Sequence, residues 1–353
     1  VHHAVQENFD QIQPLLQHLP AAVQADIKAL ENWTQTHFQR LAPILTQRLD
    51  GGFIRECHGD MHLGNITRVK DKITIFDGIE FNNEFRWIDV ISDLAFLLMD
   101  LQYHGKGDYA FRLLNRYLEA TGDYPGLQLL AYYQVYRAMV RAKVAALRLS
   151  QMPRDSDEYQ QQKTSIIRHT KLAQQLAATK CRFLMITHGV SGSGKSYASQ
   201  QVLEQFNAIR IRSDVERIRM FVDTRTRYTK AATEKTYTRL LEFAGIAIAN
   251  QYSVILDATY LETDKRQAVK QQAEQRACPF IILDMQCDIK ELERRIEQRL
   301  QNNTDASEAN KEILHRQLAS EQGLSAQEQQ FVVSIRPGSN VAEKIKNYLQ
   351  EQP

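Results

Sequence analysis

Two textures of apolar and polar positions divide the chain. Through about residue 178 most apolar residues recur at helical spacing, with 89–103 and 127–149 expected as amphipathic to nearly buried helices. Turn signals at Pro14, Pro20, Pro43 and Gly51-Gly52 divide the opening stretch. Two short β-like runs, 52–57 and 73–76, interrupt the helical pattern around residue 65. The chain turns polar at 150–157 around Pro153, and a glutamine-rich helical segment then runs to about 178. Beyond it, strand-like runs at 182–188, 208–212, 252–257, 280–286 and 331–335 alternate with long helical patterns. That alternation predicts an α/β fold, a five-stranded parallel sheet with helices on both faces, preceded by a mainly helical domain. The boundary falls near residue 179, giving domains 1–178 and 179–353. The polar stretch 301–310 has few apolar anchors and is expected to be the most mobile segment.

Length agrees with two domains, since 353 residues exceed the usual single-core limit. Hydrophobic residues at 43% and charged residues at 24% describe an ordinary globular protein. A formal charge of only +2 gives no electrostatic footprint for sequence-blind nucleic-acid binding, so no nucleic-acid partner is expected. Cys57, Cys181, Cys278 and Cys287 are scattered, which suggests neither zinc nor a disulfide framework and fits a reducing cytoplasm. The longest purely apolar run, 94–99, is far too short to cross a bilayer. No membrane partner is expected either.

The most specific chemistry lies at Gly189-Val190-Ser191-Gly192-Ser193-Gly194-Lys195-Ser196, a complete G-x-x-x-x-G-K-[ST] phosphate loop between a strand-like run and a helical segment from 195 to 206. Glycines allow successive backbone N–H groups to point at phosphate oxygens, and the helix N-terminus adds partial positive charge. Lys195 is expected to reach the β- and γ-phosphates of ATP, and Ser196 to complete a Mg²⁺ shell; Tyr197 follows within the cofactor-binding stretch. Arg212-Ser213-Asp214 ends the second strand, and a carboxylate there can take a proton from an acceptor hydroxyl, although Ser213 or Asp214 could equally cap a helix. Val254 to Asp257 is an apolar strand closed by an acid, so Asp257 is a candidate metal ligand, the structural alternative being a helix start capped by Thr259 or Thr263.

Arg294, Arg295 and Arg299 share a later helix with Glu291, Glu293 and Glu297. They form either a solvated ion-paired face or a lid whose Arg295 and Arg299 spread charge over a transferring phosphoryl group. Arg336-Pro337-Gly338-Ser339, after the last strand, is a candidate adenine-side loop. With these residues in these places, 180–353 resembles the small-molecule kinase branch of the P-loop fold, the adenylate/gluconate kinase-like and zeta-toxin-like group. The resemblance implies strand order 2-3-1-4-5.

In the amino-terminal half, His58-Gly59-Asp60-Met61-His62-Leu63-Gly64-Asn65 has the spacing H-x-D-x-x-x-x-N of a kinase catalytic loop. Asp60 is the candidate base there, and Asn65 and Asp77 are candidate Mg²⁺ ligands. The bland alternative is a polar turn. On these residues the region 1–178 resembles the helical C-lobe of aminoglycoside and choline phosphotransferases, with Asp89 and Asp93 as braces of the catalytic loop. Arg137 and Arg141 share a face of the next long helix and could contact a phosphate or pair with Asp89, Asp93 or Asp100. The glycine-rich hairpin and β3 lysine of such kinases do not precede Asp60, so either an N-lobe lies upstream in a longer protein, the favoured expectation, or the half-kinase is a degenerate scaffold. The whole resembles a bacterial bifunctional aminoglycoside phosphotransferase-like/ATP-binding protein.

Together these readings predict ATP- and Mg²⁺-dependent phosphoryl transfer by the P-loop domain to a hydroxyl of a small-molecule acceptor. The alternatives are a regulatory ATP-binding module without an acceptor and a zeta-toxin-like kinase of a nucleotide sugar.

Overall fold

A computed structural model describes residues 1–178, 181–302 and 311–351. The stretch expected to be most mobile, 301–310, lies outside the described residues from 303 onward. Two compact units result: Val1–Leu114 with Gly126–Thr179, and Asn115–Pro125 with Lys180–Pro353. The segment Asn115–Pro125 therefore clusters with the carboxyl-terminal unit and not with the residues that flank it in sequence.

The first unit contains α1 (His2–Ile12), α2 (Ala21–Asp50), β1 (Ile54–Glu56), β2 (Ile66–Val69), β3 (Lys72–Ile75), β4 (Trp87–Asp89), α3 (Val90–Tyr103), the start of α4 (Gly107–Thr121), α5 (Leu127–Leu149) and α6 (Asp157–Ala177). β1 pairs antiparallel with β4, and β2 with β3. Pro43 does not divide the opening stretch as expected; it lies inside α2. A proline inside a helix costs about 3 kcal/mol. Val23, Ile27, Leu30 and Leu41, all buried from the same helix, contribute roughly 1.5–3 kcal/mol each and outweigh it. The core is laid by α3 and α5, whose Ile91, Ala95, Met99, Leu129, Val135, Ala138 and Ala142 are fully buried.

The second unit is a parallel sheet of β5 (Leu184–His188), β6 (Ile209–Arg212), β7 (Val254–Asp257), β8 (Phe280–Met285) and β9 (Val332–Ile335). Its order, β6-β7-β5-β8-β9, is 2-3-1-4-5 counted within the unit. β5 and β7 are buried throughout because helices cover both faces, which is why they read as unbroken apolar runs. The intervening helices are α7 (Lys195–Phe206), α8 (Ser213–Met220), α9 (Lys230–Ala249), α10 (Thr263–Gln275), α11 (Ile289–Asn302), α12 (Lys311–Ser320) and α13 (Val341–Glu351). This is a P-loop kinase-like fold. The chain leaves β5 toward β6 on one side and later adds β8 on the other, so the turn after β5 sits at the switch point where α/β sheets bind ligands.

Two buried devices hold this unit. The Asn115 side chain pairs with the edge strand β6, donating to the Ala208 carbonyl at 3.0 Å and accepting the Arg210 amide at 2.7 Å. Glu119 pairs with Arg210 at 2.8 Å, and the Tyr124 ring stacks on Phe243 at 4.4 Å. Elsewhere, the fully buried Arg266 donates to both carboxylate oxygens of Glu328 at 2.6 and 3.1 Å and to the carbonyls of Tyr260, Gln322 and Gly323. Burial alone would raise the Glu328 carboxyl, but Arg266 and Ser325 outweigh it and hold the group down at about 2. Among the described residues no helix is long and apolar enough to cross a membrane.

Candidate active site

β5 delivers the chain into a turn that only glycine accommodates at three points: φ is +132° at Gly189, +83° at Gly192 and +98° at Gly194. A Cβ on Gly192 would stand 3.1 Å from the Leu292 carbonyl oxygen, so the turn is tight as well as left-handed. Gly194 is the N-cap of α7 and makes no side-chain cap hydrogen bond, so the positive end of that helix faces the turn. The Ser193 hydroxyl is buried there with no hydrogen-bond partner among the described residues. Lys195 folds back over the turn, its Nζ donating to the carbonyls of Gly189 at 2.9 Å and Val190 at 2.7 Å. The Ser191 amide donates to Gln317 Oε1 on α12 at 2.8 Å. This combination of left-handed glycines, an uncapped helix start, a poised ammonium and an orphaned hydroxyl fits a chain of phosphates.

In front of the turn lies a cavity of about 740 Å³ whose wall includes Lys195, Ser196, Asp214, Arg217, Asp257 and Arg295. Asp257, buried at the end of β7, accepts from the Ser199 hydroxyl at 3.0 Å and has Arg212 Nε at 3.8 Å. Ser199 lies one turn along α7 from Ser196, so the strand-end acid is tied to the helix that carries the loop. A hydroxyl at Ser196 and a carboxylate at Asp257 are the oxygen donors a Mg²⁺ ion takes. The N-cap of α8 is Arg212, with no side-chain cap, so neither Ser213 nor Asp214 serves that structural role.

Sequence reasoning gave no role to Arg217, one turn beyond Asp214. It is 8% exposed, and its NH1 donates to the Arg227 carbonyl at 2.7 Å and to Thr233 Oγ1 at 3.3 Å. Its Nε is buried with no partner among the described residues, and the Tyr228 ring centroid lies 5.3 Å from the guanidinium carbon. Among the described residues no carboxylate forms an ion pair with it. Gln317 was likewise unassigned.

The arginine helix is ion-paired through Glu291 and also reaches the cavity. Arg294 and Arg295 each donate to Glu291 at 2.7 Å, and these hydrogen bonds, Arg294 first, hold the Glu291 carboxyl down at about 2. Arg295 also lines the cavity, with NH1 3.5 Å from the Gly192 carbonyl. Arg299 lies in α11, and its side chain is outside the described residues.

Behind the turn a second cavity of about 670 Å³ is lined by Gly189, Ser193, Asp284, Gln286, Arg336 and Pro337. Arg336 is exposed and donates to Gln286 Oε1 at 3.2 Å. Tyr197 borders the front cavity but is 73% exposed. His188, buried at the end of β5, pairs through Nδ1 with Asp284 at 2.8 Å. Burial raises the Asp284 carboxyl, but the His188 hydrogen bond and Gln286 bring it below the usual range.

In the amino-terminal unit, Asp60 and Asn65 come together: the Asn65 amide donates to the Asp60 carbonyl at 3.1 Å and to its carboxylate at 3.2 Å. His62 stands 3.4 Å from the same carboxylate, and its hydrogen bond and charge outweigh burial, lowering the Asp60 pKa. Asp77 is exposed, in left-handed backbone at φ +62°. Among the described residues no group of three or more His, Cys, Asp or Glu is set to hold a metal. Asp93 accepts the amides of His58 and Gly59 at 3.0 Å each, while Arg137 donates to the Gly59 carbonyl and to Ser92 rather than to an acid. Asp89 pairs with the buried Arg48 at 2.6 and 2.8 Å and caps α3.

Residues 184–324 match the family model described as AAA domain. The chain is 27% identical over 305 residues to Uncharacterized protein Mb2027c of Mycobacterium bovis, covering 83% of this chain and 60% of that protein. The chain thus spans about 60% of the length of the curated relatives it matches. Among solved structures, Kti12 of Chaetomium thermophilum in complex with ADP-AlF3 is similar at 14% identity and TM-score 0.40, over 47% of this chain and 96% of that one. A gluconokinase from Sinorhizobium meliloti is similar at 18% identity and TM-score 0.36, over 48% and 91%.

Proposed function

We propose that the carboxyl-terminal unit is an ATP- and Mg²⁺-dependent kinase acting on a hydroxyl of a small acceptor that also carries an anionic group. The observation that carries this reading is a cavity of about 740 Å³ whose wall brings the phosphate turn together with Asp214, Asp257 and the buried Arg217. Lys195 and the amides of the turn bind the triphosphate. Ser196 and Asp257 would hold Mg²⁺, which when bound offsets the negative charge of the phosphates. Asp214 takes the proton from the acceptor hydroxyl, and Arg295 leaves Glu291 to meet charge on the phosphoryl group.

Arg217 supports the acceptor's class. A buried guanidinium without a counter-charge costs several kcal/mol, and an acceptor carboxylate, phosphate or sulfate entering the cavity would remove that cost. Its planar fork suits such oxyanions. For the amino-terminal unit we propose a phosphotransferase-type site at Asp60 and Asn65, a reading supported by the bracing of their loop by Asp93 and Arg137.

The test is ADP release from ATP and Mg²⁺ against a panel of sugar acids, hydroxy acids and sugar phosphates beside their neutral counterparts. Stimulation by anionic alcohols alone is expected. ATP binding without stimulation by any acceptor would favour the regulatory module and overturn this reading.

A further inference from the structure

Cys181 and Cys278 are 97 residues apart, yet their sulfur atoms lie 3.0 Å from one another. The sheet brings them there. Cys181 lies three residues before Leu184, where β5 begins, and Cys278 two before Phe280, where β8 begins; those two residues face each other in the parallel ladder. The Leu184 amide donates to the Pro279 carbonyl at 2.8 Å, and the Cys278 amide to Ala273 at 2.9 Å, so both approaches are fixed by backbone hydrogen bonds. The separation of 3.0 Å is about 1 Å more than a covalent S–S bond.

We propose that Cys181 and Cys278 form a reversible disulfide on exposure to peroxide, a modification site at the end of the sheet opposite the phosphate turn. Cys181 is the more accessible of the two, and Cys278 is 8% exposed, which assigns the attacking and resolving roles. The hydrogen bond from the Cys278 thiol lowers the Cys181 pKa and favours its thiolate. The Cys181 thiolate attacks one peroxide oxygen, the O–O bond breaks, and hydroxide leaves, giving a sulfenic acid. The Cys278 sulfur then attacks the sulfenyl sulfur, the S–O bond breaks, and the departing hydroxide takes the Cys278 proton. Two thiols and one hydrogen peroxide yield one disulfide and two waters.

The experiment treats the folded chain with hydrogen peroxide, alkylates remaining thiols and maps peptides without reduction. A crosslinked peptide pair containing Cys181 and Cys278 is expected, with an intact-mass loss of about 2 Da that dithiothreitol reverses. In Cys181→Ser the crosslink should vanish and Cys278 should alkylate. The same treatment in urea separates geometry from chance, because the unfolded chain should lose the preference for this pair. Quantitative alkylation of both cysteines after peroxide, crosslinks running instead to Cys57 or Cys287, or equal pairing in urea would each overturn the proposal.

Discussion

The Lys195 ammonium donates to the Gly189 carbonyl at 2.9 Å, so the cation of the phosphate turn is held over the turn itself. Phosphate oxygens entering there replace neutral carbonyls as acceptors, a gain for the ammonium that strengthens binding. Lys195→Ala should therefore weaken ATP binding by about 10–100-fold, the worth of a lost charge-assisted contact. Isothermal calorimetry checks this, and unchanged affinity would remove the nucleotide assignment.

Asp214 faces the cavity from the first turn of α8 without serving as its N-cap. In Asp214→Asn, kcat should fall by about 10²–10⁴-fold, the usual contribution of a positioned base. The affinity for ATP measured by calorimetry should stay within twofold. A variant that loses nucleotide binding together with turnover would assign Asp214 to the phosphates instead.

Arg217 makes a different prediction, because its charge is directed at the acceptor. Arg217→Met should raise the acceptor KM by about 10–100-fold while the KM for ATP holds, and Arg217→Lys should recover part of the loss. Steady-state kinetics with the two substrates varied separately give the answer. An equal rise in both constants would speak for a purely structural arginine.

The carboxyl-terminal framework was legible because burial leaves a mark on the sequence. β5 and β7 are unbroken apolar runs, and the turn between β5 and α7 carries its glycines at fixed spacing. The hairpin of β2 and β3 was harder to see. Its turn, Lys70-Asp71, has φ of +46° and +65° without the asparagine or glycine that ordinarily announces such a turn. Arg217 escaped notice for another reason: what distinguishes it is a missing counter-charge, which no spacing records. The meeting of Cys181 with Cys278 depends on which strands are neighbours, and that follows only from sheet order.

Acid stability should depend on Arg266 and Glu328. The Glu328 carboxyl is held at about 2, against roughly 4.3 in an unfolded chain. Its contribution, on the order of 3 kcal/mol, is complete above the unfolded value and declines as pH falls from there toward about 2. Glu328→Gln should lower Tm at pH 7, and the gap from wild type should narrow below about pH 4. Thermal melts across pH 2–7 by circular dichroism check the sign; a gap that widens in acid would be incompatible with it.

Because Asn115 supplies the hydrogen bonds along the outer side of β6, the gene cannot be divided where its texture changes. Expressing 180–353 alone would bare the Arg210 amide and the Ala208 carbonyl and strip the Arg210 guanidinium of Glu119. An unpaired strand border of this kind recruits other chains, so such a truncation should form soluble aggregates even with an intact phosphate turn. The boundary of the folded object is set by one carboxamide supplied from far upstream, and protein engineering on this scaffold must carry that piece along.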